Sequence, residues 1–396
     1  MIALLGHGKT TRAVARRLKE AIFFADVDHS FKDEDGFLVH PSSKFDPSRF
    51  DLSVPSPGLP PSHLLVQKSR KIVSDYDLFF NSFPYSIWIS GTNGKTTTTQ
   101  MITHLLSPKG AISGGNIGTP VAAMDPKAPI WVLETSSFTL HYTKIAKPNL
   151  YILLPITPDH LSWHGSFKAY EEAKLKPLAH LKEGEVAIVP KRYASIPSKG
   201  MLIGYEDEKD LAKIFALPIE KFRFKGAFLL DALLACATQK ILFGTCNIDH
   251  INTFILDPHK QEEFYDAKGR LWVDDSKATN IDATLAAIQR YKSRPIHLIL
   301  GGDNKGVSLD PLIAQLPKDA TIYAIGKAAQ EIEHSAKKHH IAVNLCHTLD
   351  EAVRTIHKYH TKESVALLSP ACASLDQFSS YKERGERFKQ AVLRLV

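Results

Sequence analysis

The chain has 396 residues, 44% of them apolar and 23% charged, with a formal net charge of +7. A single core rarely grows past roughly 250–300 residues, so two or three domains are expected. The composition excludes a disordered chain, no apolar run reaches the ~18 residues of a membrane span, and the run Met1 to Leu5 is too short for a secretion signal; a cytoplasmic protein is expected.

The first elements are a short strand at Ile2 to Leu5, a Gly6-His7-Gly8 turn and a helix from Thr10 to Glu20. A strand at Ile22 to Ala25 then ends at Asp26 and Asp28. This order is that of a nucleotide-binding βαβ unit, although Thr11 stands at the third glycine position of the usual fingerprint. Ser56-Pro57-Gly58 reads as a loop, and the unit ends near Pro84.

A second unit opens with a buried strand at Tyr85 to Ile89, which runs into Gly91-Thr92-Asn93-Gly94-Lys95-Thr96-Thr97 and then a helix from Thr96 to Leu106. A glycine turn between strand and helix aims backbone N–H groups and the helix dipole at one point, which suits phosphate. Lys95 would reach the β- and γ-phosphates, and the Thr96 hydroxyl would bind Mg²⁺. The loop is shorter than the general pattern, which wants a further glycine where Ile89 stands. Further strands are expected at Ile130 to Leu133, Leu150 to Leu154 and Val186 to Val189, alternating with helices, and a buried helix at Asp231 to Leu242. That alternation argues for a parallel sheet covered on both faces. Glu134 ends one strand beside Ser136 and Ser137, well placed for Mg²⁺ but equally ordinary as a strand-end acid. His160 follows another strand end, as a metal ligand or a structural histidine. Lys174, on a helix, reads by itself as a surface lysine.

The third unit begins near Asp257. Strands are expected at Leu271 to Val273, Ile296 to Leu300, Thr321 to Ile325 and Val365 to Leu368. Helices fit at Ile281 to Tyr291, Lys327 to Lys338, Asp350 to Tyr359 and Tyr381 to Leu395. Three loops follow strand ends: Asp274 to Asn280, Gly301 to Lys305 and Ser369 to Phe378. Together they offer two lysines and several hydroxyls, which suits a small dicarboxylate. The four cysteines, Cys236, Cys246, Cys346 and Cys372, form no Cys-x-x-Cys pair, so free thiols are expected.

In this order the motifs resemble the Mur ligase family of peptidoglycan synthesis, and the third-unit loops resemble its D-glutamate-adding members. The resemblance runs over nearly the whole chain. It implies three α/β domains: a Rossmann-like N-terminal domain at 1–83 for the UDP substrate, a central P-loop ATPase-type parallel-sheet domain at 84–256 for ATP and metal, and a Rossmann-like C-terminal domain at 257–396 for the amino acid. It implies a monomeric, ATP-dependent ligase that adds D-glutamate to UDP-N-acetylmuramoyl-L-alanine through an acyl phosphate and a tetrahedral intermediate. Neither nucleic acid nor membrane is an expected partner. ATP is expected on Gly91 to Thr97 together with His259, Lys260 and Asp275. Two Mg²⁺ are expected on Thr96, Glu134, His160 and a carbamylated Lys174. Gly8, Lys9, Thr10, Asp26, Asn116, Ser136 and His160 are expected on the muramoyl substrate. Lys277, Thr279, Lys305, Ser374, Leu375 and Tyr381 are expected on D-glutamate. Lys95, His160 and Lys174 are the expected catalytic groups. The chain departs from the family after Gly226, where the usual His-Asn pair is absent, at Lys260 in place of the usual Arg, and at Tyr381 in place of the usual Phe. Two rivals are a sister ligase using another amino acid and a non-enzymatic nucleotide- or nucleic-acid-binding protein. The third-unit loops and the lack of a clustered basic face disfavour them.

Overall fold

A computed structural model describes residues 1–395 of the chain. Residue contacts divide it into two compact units, Met1–Phe254 and Ile255–Val396. The first carries two sheets and the second carries one, so three α/β domains with largely parallel cores are present, as expected.

The first sheet is built from β1 (Ile2–Leu5), β2 (Ile22–Ala25), β3 (Phe31–Lys32), β4 (Leu38–Pro41) and β5 (Leu52–Pro55), in the order β3-β4-β2-β1-β5. Only β3 runs antiparallel to its neighbour. Strand side chains alternate between faces. Leu4 and Phe23 therefore join one buried cluster, while Ala3, Leu5 and Phe24 join the other.

The second sheet comprises β6 (Tyr85–Ser90), β7 (Ala111–Gly115), β8 (Ile130–Glu134), β9 (Leu150–Leu153), β10 (Val186–Pro190) and β11 (Met201–Tyr205). The order is β11-β10-β9-β6-β8-β7 and every pairing is parallel. Chain order reverses at β6, which lies between β9 and β8. A crevice at the carboxyl ends of these three strands is where such sheets take ligands. Trp88, Trp131 and Tyr151 fill the core on one side. The helix Ala227–Phe243 packs on the helix Lys95–Leu106 that leaves the phosphate loop.

The third sheet comprises β12 (Glu262–Tyr265), β13 (Leu271–Asp274), β14 (Ile296–Gly301), β15 (Thr321–Ile325), β16 (Ala342–His347) and β17 (Val365–Leu368). Its order is β12-β13-β17-β14-β15-β16, with β12 antiparallel at the edge. Alternation again separates two cores, Val273, Leu298, Leu300 and Leu367 on one face and Trp272, Ile299, Tyr323 and Leu368 on the other.

The expected strands and helices all form, with ends moved by a residue or a few. Seven strands were not expected: β3, β4, β5, β7, β11, β12 and β16. Most lie at or beside a sheet edge, where half-exposed side chains weaken the apolar run that marks a buried strand. The cysteine expectation holds for Cys346 and Cys372, which are free and buried. It fails for Cys236 and Cys246, which form a disulfide. Their separation of 10 residues hides the pairing, because the helix carrying Cys236 ends at a left-handed Gly244 that turns the chain back. Among the described residues, no helix is long and apolar enough to cross a membrane.

Candidate functional site

The expected site residues fall into two groups, one in each unit. In the first unit they gather at the carboxyl ends of β6, β8 and β9. Gly91 has φ +134°, a conformation open to glycine, and a Cβ there would lie 2.5 Å from the Leu154 Cβ. Gly94 caps the helix Lys95–Leu106 with no side-chain cap, and the positive end of a helix dipole suits an anion. The loop is braced from β9: the Thr92 N–H donates to the Pro155 carbonyl at 3.0 Å, and its hydroxyl donates to the Thr157 carbonyl at 3.0 Å. Lys95 folds back, its Nζ donating to the Thr92 carbonyl at 2.7 Å. Beneath the loop, Thr98 donates to buried Asp231 at 2.7 Å.

Glu134 ends β8 and is buried, at 3% exposure. Its two oxygens accept from the Thr96 hydroxyl at 2.7 Å and the Asn116 amide at 2.6 Å. A buried carboxylate beside a threonine hydroxyl offers oxygen donors, which fit a hard cation such as Mg²⁺. His160 has φ +52° and begins the helix Leu161–His164. Its N–H donates to the buried Asp159 carboxylate at 2.8 Å, and its ring lies edge-on to Phe138.

Lys174 is not on the surface. It is 1% exposed, and its Nζ donates to the Gly91 carbonyl at 2.7 Å. Burial, and after it the Lys95 ammonium, hold its amine well below the usual lysine range. Tertiary packing makes the difference here: its helix, Phe167–His180, lays Tyr170, Ala173 and Lys174 inward. The Tyr151 hydroxyl donates to the Lys174 carbonyl at 2.7 Å, which pins that turn.

The first sheet reaches the same region. The Lys9 ammonium donates to the Gly118 carbonyl, in the loop that carries Asn116. Gly8 opens the helix Lys9–Leu18, so Thr10 lies in its first turn. The Tyr142 hydroxyl donates to Leu59 at 2.6 Å and the Trp163 indole to Gly58 at 3.2 Å, which ties the Ser56-Pro57-Gly58 loop to the patch beside His160. Asp26 is exposed and accepts from Ser42 at 2.6 Å. Ser136 caps the helix Ser137–Tyr142, its Oγ accepting from the Thr139 N–H.

In the second unit, the three expected loops leave β13, β14 and β17, which are adjacent strands. Asp303 and Ala373 exchange backbone hydrogen bonds of 3.0 and 2.8 Å, joining the Lys305 loop to the Ser374 loop. The Lys277 N–H donates to the His259 carbonyl at 3.1 Å, and its Nζ lies 4.1 Å from the Tyr381 ring centre. Thr279 is half-buried beside Asn280, which caps the helix Ile281–Tyr291. Ser374 is buried, whereas Leu375 is 72% exposed. Asp275 is buried against Ser369, 2.8 Å away, and burial pushes its carboxyl up to about 8. Lys260 donates to Asp257 at 3.1 Å. His259, Glu262 and Asp274 bring ligand atoms within 4.8 Å of one another. Hydrogen bonds account for that grouping. The His259 Nδ1 pairs with Asp274 at 2.6 Å, and Glu262 accepts from the His259 N–H and from Lys389.

Asp159, Asp231 and Arg384 were not anticipated. Asp231 did leave a signal, as the lone acid within the apolar run Phe228 to Ala237. Asp159 and Arg384 stand among other polar residues, and only their burial distinguishes them.

Residues 89–214 match the Mur ligase middle domain family, and residues 262–372 match the Mur ligase glutamate ligase domain family. The chain is 51% identical over 397 residues, covering 99% of both chains, to a Campylobacter jejuni protein named UDP-N-acetylmuramoylalanine--D-glutamate ligase. It is 46% identical over 419 residues to a Helicobacter pylori protein of the same name, again with 99% of each covered. Among solved structures, the Thermotoga maritima MurF ligase in complex with ADP is similar in fold, with a TM-score of 0.61 at 16% identity over 99% of this chain and 93% of that one.

Proposed function

The chain belongs to the Mur ligase family, and we propose on that premise that it joins D-glutamate to UDP-N-acetylmuramoyl-L-alanine, using ATP, in peptidoglycan precursor synthesis. The observation that carries this reading is the 51% identity over 99% of both chains to a relative of that name.

A carboxylate and an ammonium do not condense in water at neutral pH without activation. The alanyl carboxylate attacks the γ-phosphorus of ATP, and ADP leaves. The amine of D-glutamate then attacks the acyl carbon and gives up a proton. The tetrahedral intermediate expels phosphate, leaving the amide. Phosphoryl transfer between anions asks mainly for positioning and neutralisation. The Gly91 to Thr97 backbone and Lys95 meet that need, with His259, Lys260 and Asp275 on the nucleotide. Thr96 and Glu134 fit one Mg²⁺. His160 and a carbamylated Lys174 would hold a second. When bound, these cations neutralise charge on the phosphoryl oxygens.

Carbamylation of Lys174 is supported by its burial and depressed pKa. The neutral amine is the form that adds CO₂, releasing a proton and leaving an anionic oxygen donor. Gly8, Lys9, Thr10, Asp26, Asn116 and Ser136 hold the UDP-muramoyl substrate in this reading, and His160 organises the amine. Lys277, Thr279, Lys305, Ser374, Leu375 and Tyr381 hold D-glutamate. The domains are 1–83, 84–256 and 257–396.

Phosphate release from ATP with UDP-N-acetylmuramoyl-L-alanine tests the assignment, comparing D-glutamate with L-glutamate, L-lysine and meso-diaminopimelate. D-glutamate alone is expected to stimulate release. Stimulation by another amino acid, and none by D-glutamate, overturns it.

A further inference from the structure

The ligase reading leaves the most deeply buried arginine among the described residues without a role. Arg384, in the first turn of the helix Tyr381–Leu393, is 0% exposed. Its Nε donates to the Ser276 hydroxyl at 2.9 Å and one Nη donates to the Ser276 carbonyl at 2.8 Å. Both Nη atoms donate to the Cys372 carbonyl at 3.1 Å. We propose that Arg384 is the positioning residue of the D-glutamate subsite, its guanidinium locking the Ser276 and Cys372 carbonyls and so fixing where Lys277, Ser374 and Lys305 stand. The inference rests on the reading of those three residues as D-glutamate contacts.

The connections are short. Ser276 precedes Lys277 directly. Cys372 is two residues from Ser374, and the intervening Ala373 holds Asp303 through the paired backbone bonds, while the Asp303 carboxylate accepts from the Lys305 N–H at 2.9 Å. One guanidinium thus ties two loops directly and the third through a single bridge. The helix bearing it is itself held close. The Ser276 hydroxyl donates to the Tyr381 carbonyl at 2.8 Å. A Cβ at Gly385 would lie 2.2 Å from the His259 Nδ1 and 2.7 Å from the Asp274 carboxylate, so the helix backbone rests against that pair. A planar fork of N–H groups makes these four bonds to two carbonyls and a hydroxyl at once. An ammonium offers a point charge with three donors and no fixed plane. Burial lowers the guanidinium pKa only to about 10, so it stays charged at neutral pH.

Steady-state kinetics of the full chain and its R384K and S276A variants test this. R384K is expected to raise the KM for D-glutamate about tenfold or more, the loss of one or two charged hydrogen bonds, with the KM values for ATP and UDP-N-acetylmuramoyl-L-alanine within about twofold. S276A removes the hydroxyl that accepts from the Arg384 Nε and donates to the Tyr381 carbonyl, and a rise of about threefold to fivefold is expected. A lower kcat with an unmoved D-glutamate KM in R384K marks a smaller folded fraction and overturns the inference. So does an equal rise in all three KM values. If R384K does not fold, an unmoved D-glutamate KM in S276A overturns it. Absence of D-glutamate-stimulated phosphate release in the unaltered protein overturns the ligase reading and this inference with it.

Discussion

Replacing Gly91 with alanine puts the phosphate loop to a quantitative test. At φ +134° an L residue is strained, which costs about 1–3 kcal/mol. The added Cβ would also stand 2.5 Å from the Leu154 Cβ and 3.0 Å from the Leu154 Cα and carbonyl oxygen. Leu154 directly follows β9 in the core of the second sheet and cannot swing aside, so overpacking adds about 1–3 kcal/mol. The sum is about 2–6 kcal/mol. For a unit of this size that lowers the thermal transition by roughly 4–24 °C. The loop also carries the carbonyl that accepts from Lys174, so ATP affinity falls together with stability. Differential scanning calorimetry and ATP titration of the same sample read both. A transition within about 1 °C of the parent, with ATP affinity retained, refutes the packing argument.

Lys174→Ala is expected to fold and, on the carbamate reading, to lose about 100-fold or more in kcat, because the variant would lack the anionic oxygen donor proposed for the second cation. Small carboxylic acids should restore part of the loss, and near-normal activity in the variant sinks the carbamate reading. Asp75 is buried, and burial raises its carboxyl to about 7. The folded pKa lies above the unfolded value, so the folded chain holds a proton that the unfolded chain releases between about pH 4 and pH 7. Stability from this group is present below about pH 4 and is lost as pH rises to about 7, by about 4 kcal/mol in all. Asp75→Asn lacks that slope. Its advantage over the parent in urea midpoint should grow from pH 5 to pH 7 and level off by pH 8.5, and a gap independent of pH contradicts a protonated Asp75.

The alternation of elements and the chemistry at the strand ends are legible in the order of residues alone. Parallel strands covered on both faces must be nearly all apolar, so β6, β8, β9, β13, β14, β15 and β17 stand out as runs. The glycines and Lys95 between β6 and its helix identify a phosphate loop, because few other local structures require that order. Edge strands such as β7 and β16 escaped for the opposite reason, since half-exposed strands carry glycine and polar residues.

What neighbours do to a side chain depends on how the segments pack. Lys174 has the sequence setting of a surface lysine, and packing of its helix face makes it a buried amine against the loop carbonyl. Cys236 and Cys246 become partners because the chain reverses between them. Arg384 becomes a hub because loops from β13 and β17, far apart in the chain, end beside one helix turn. Local order along a chain encodes period and turn chemistry. Burial, and the pKa and bonding that follow from it, belong to contacts between segments distant in sequence, which are settled only when the sheets assemble.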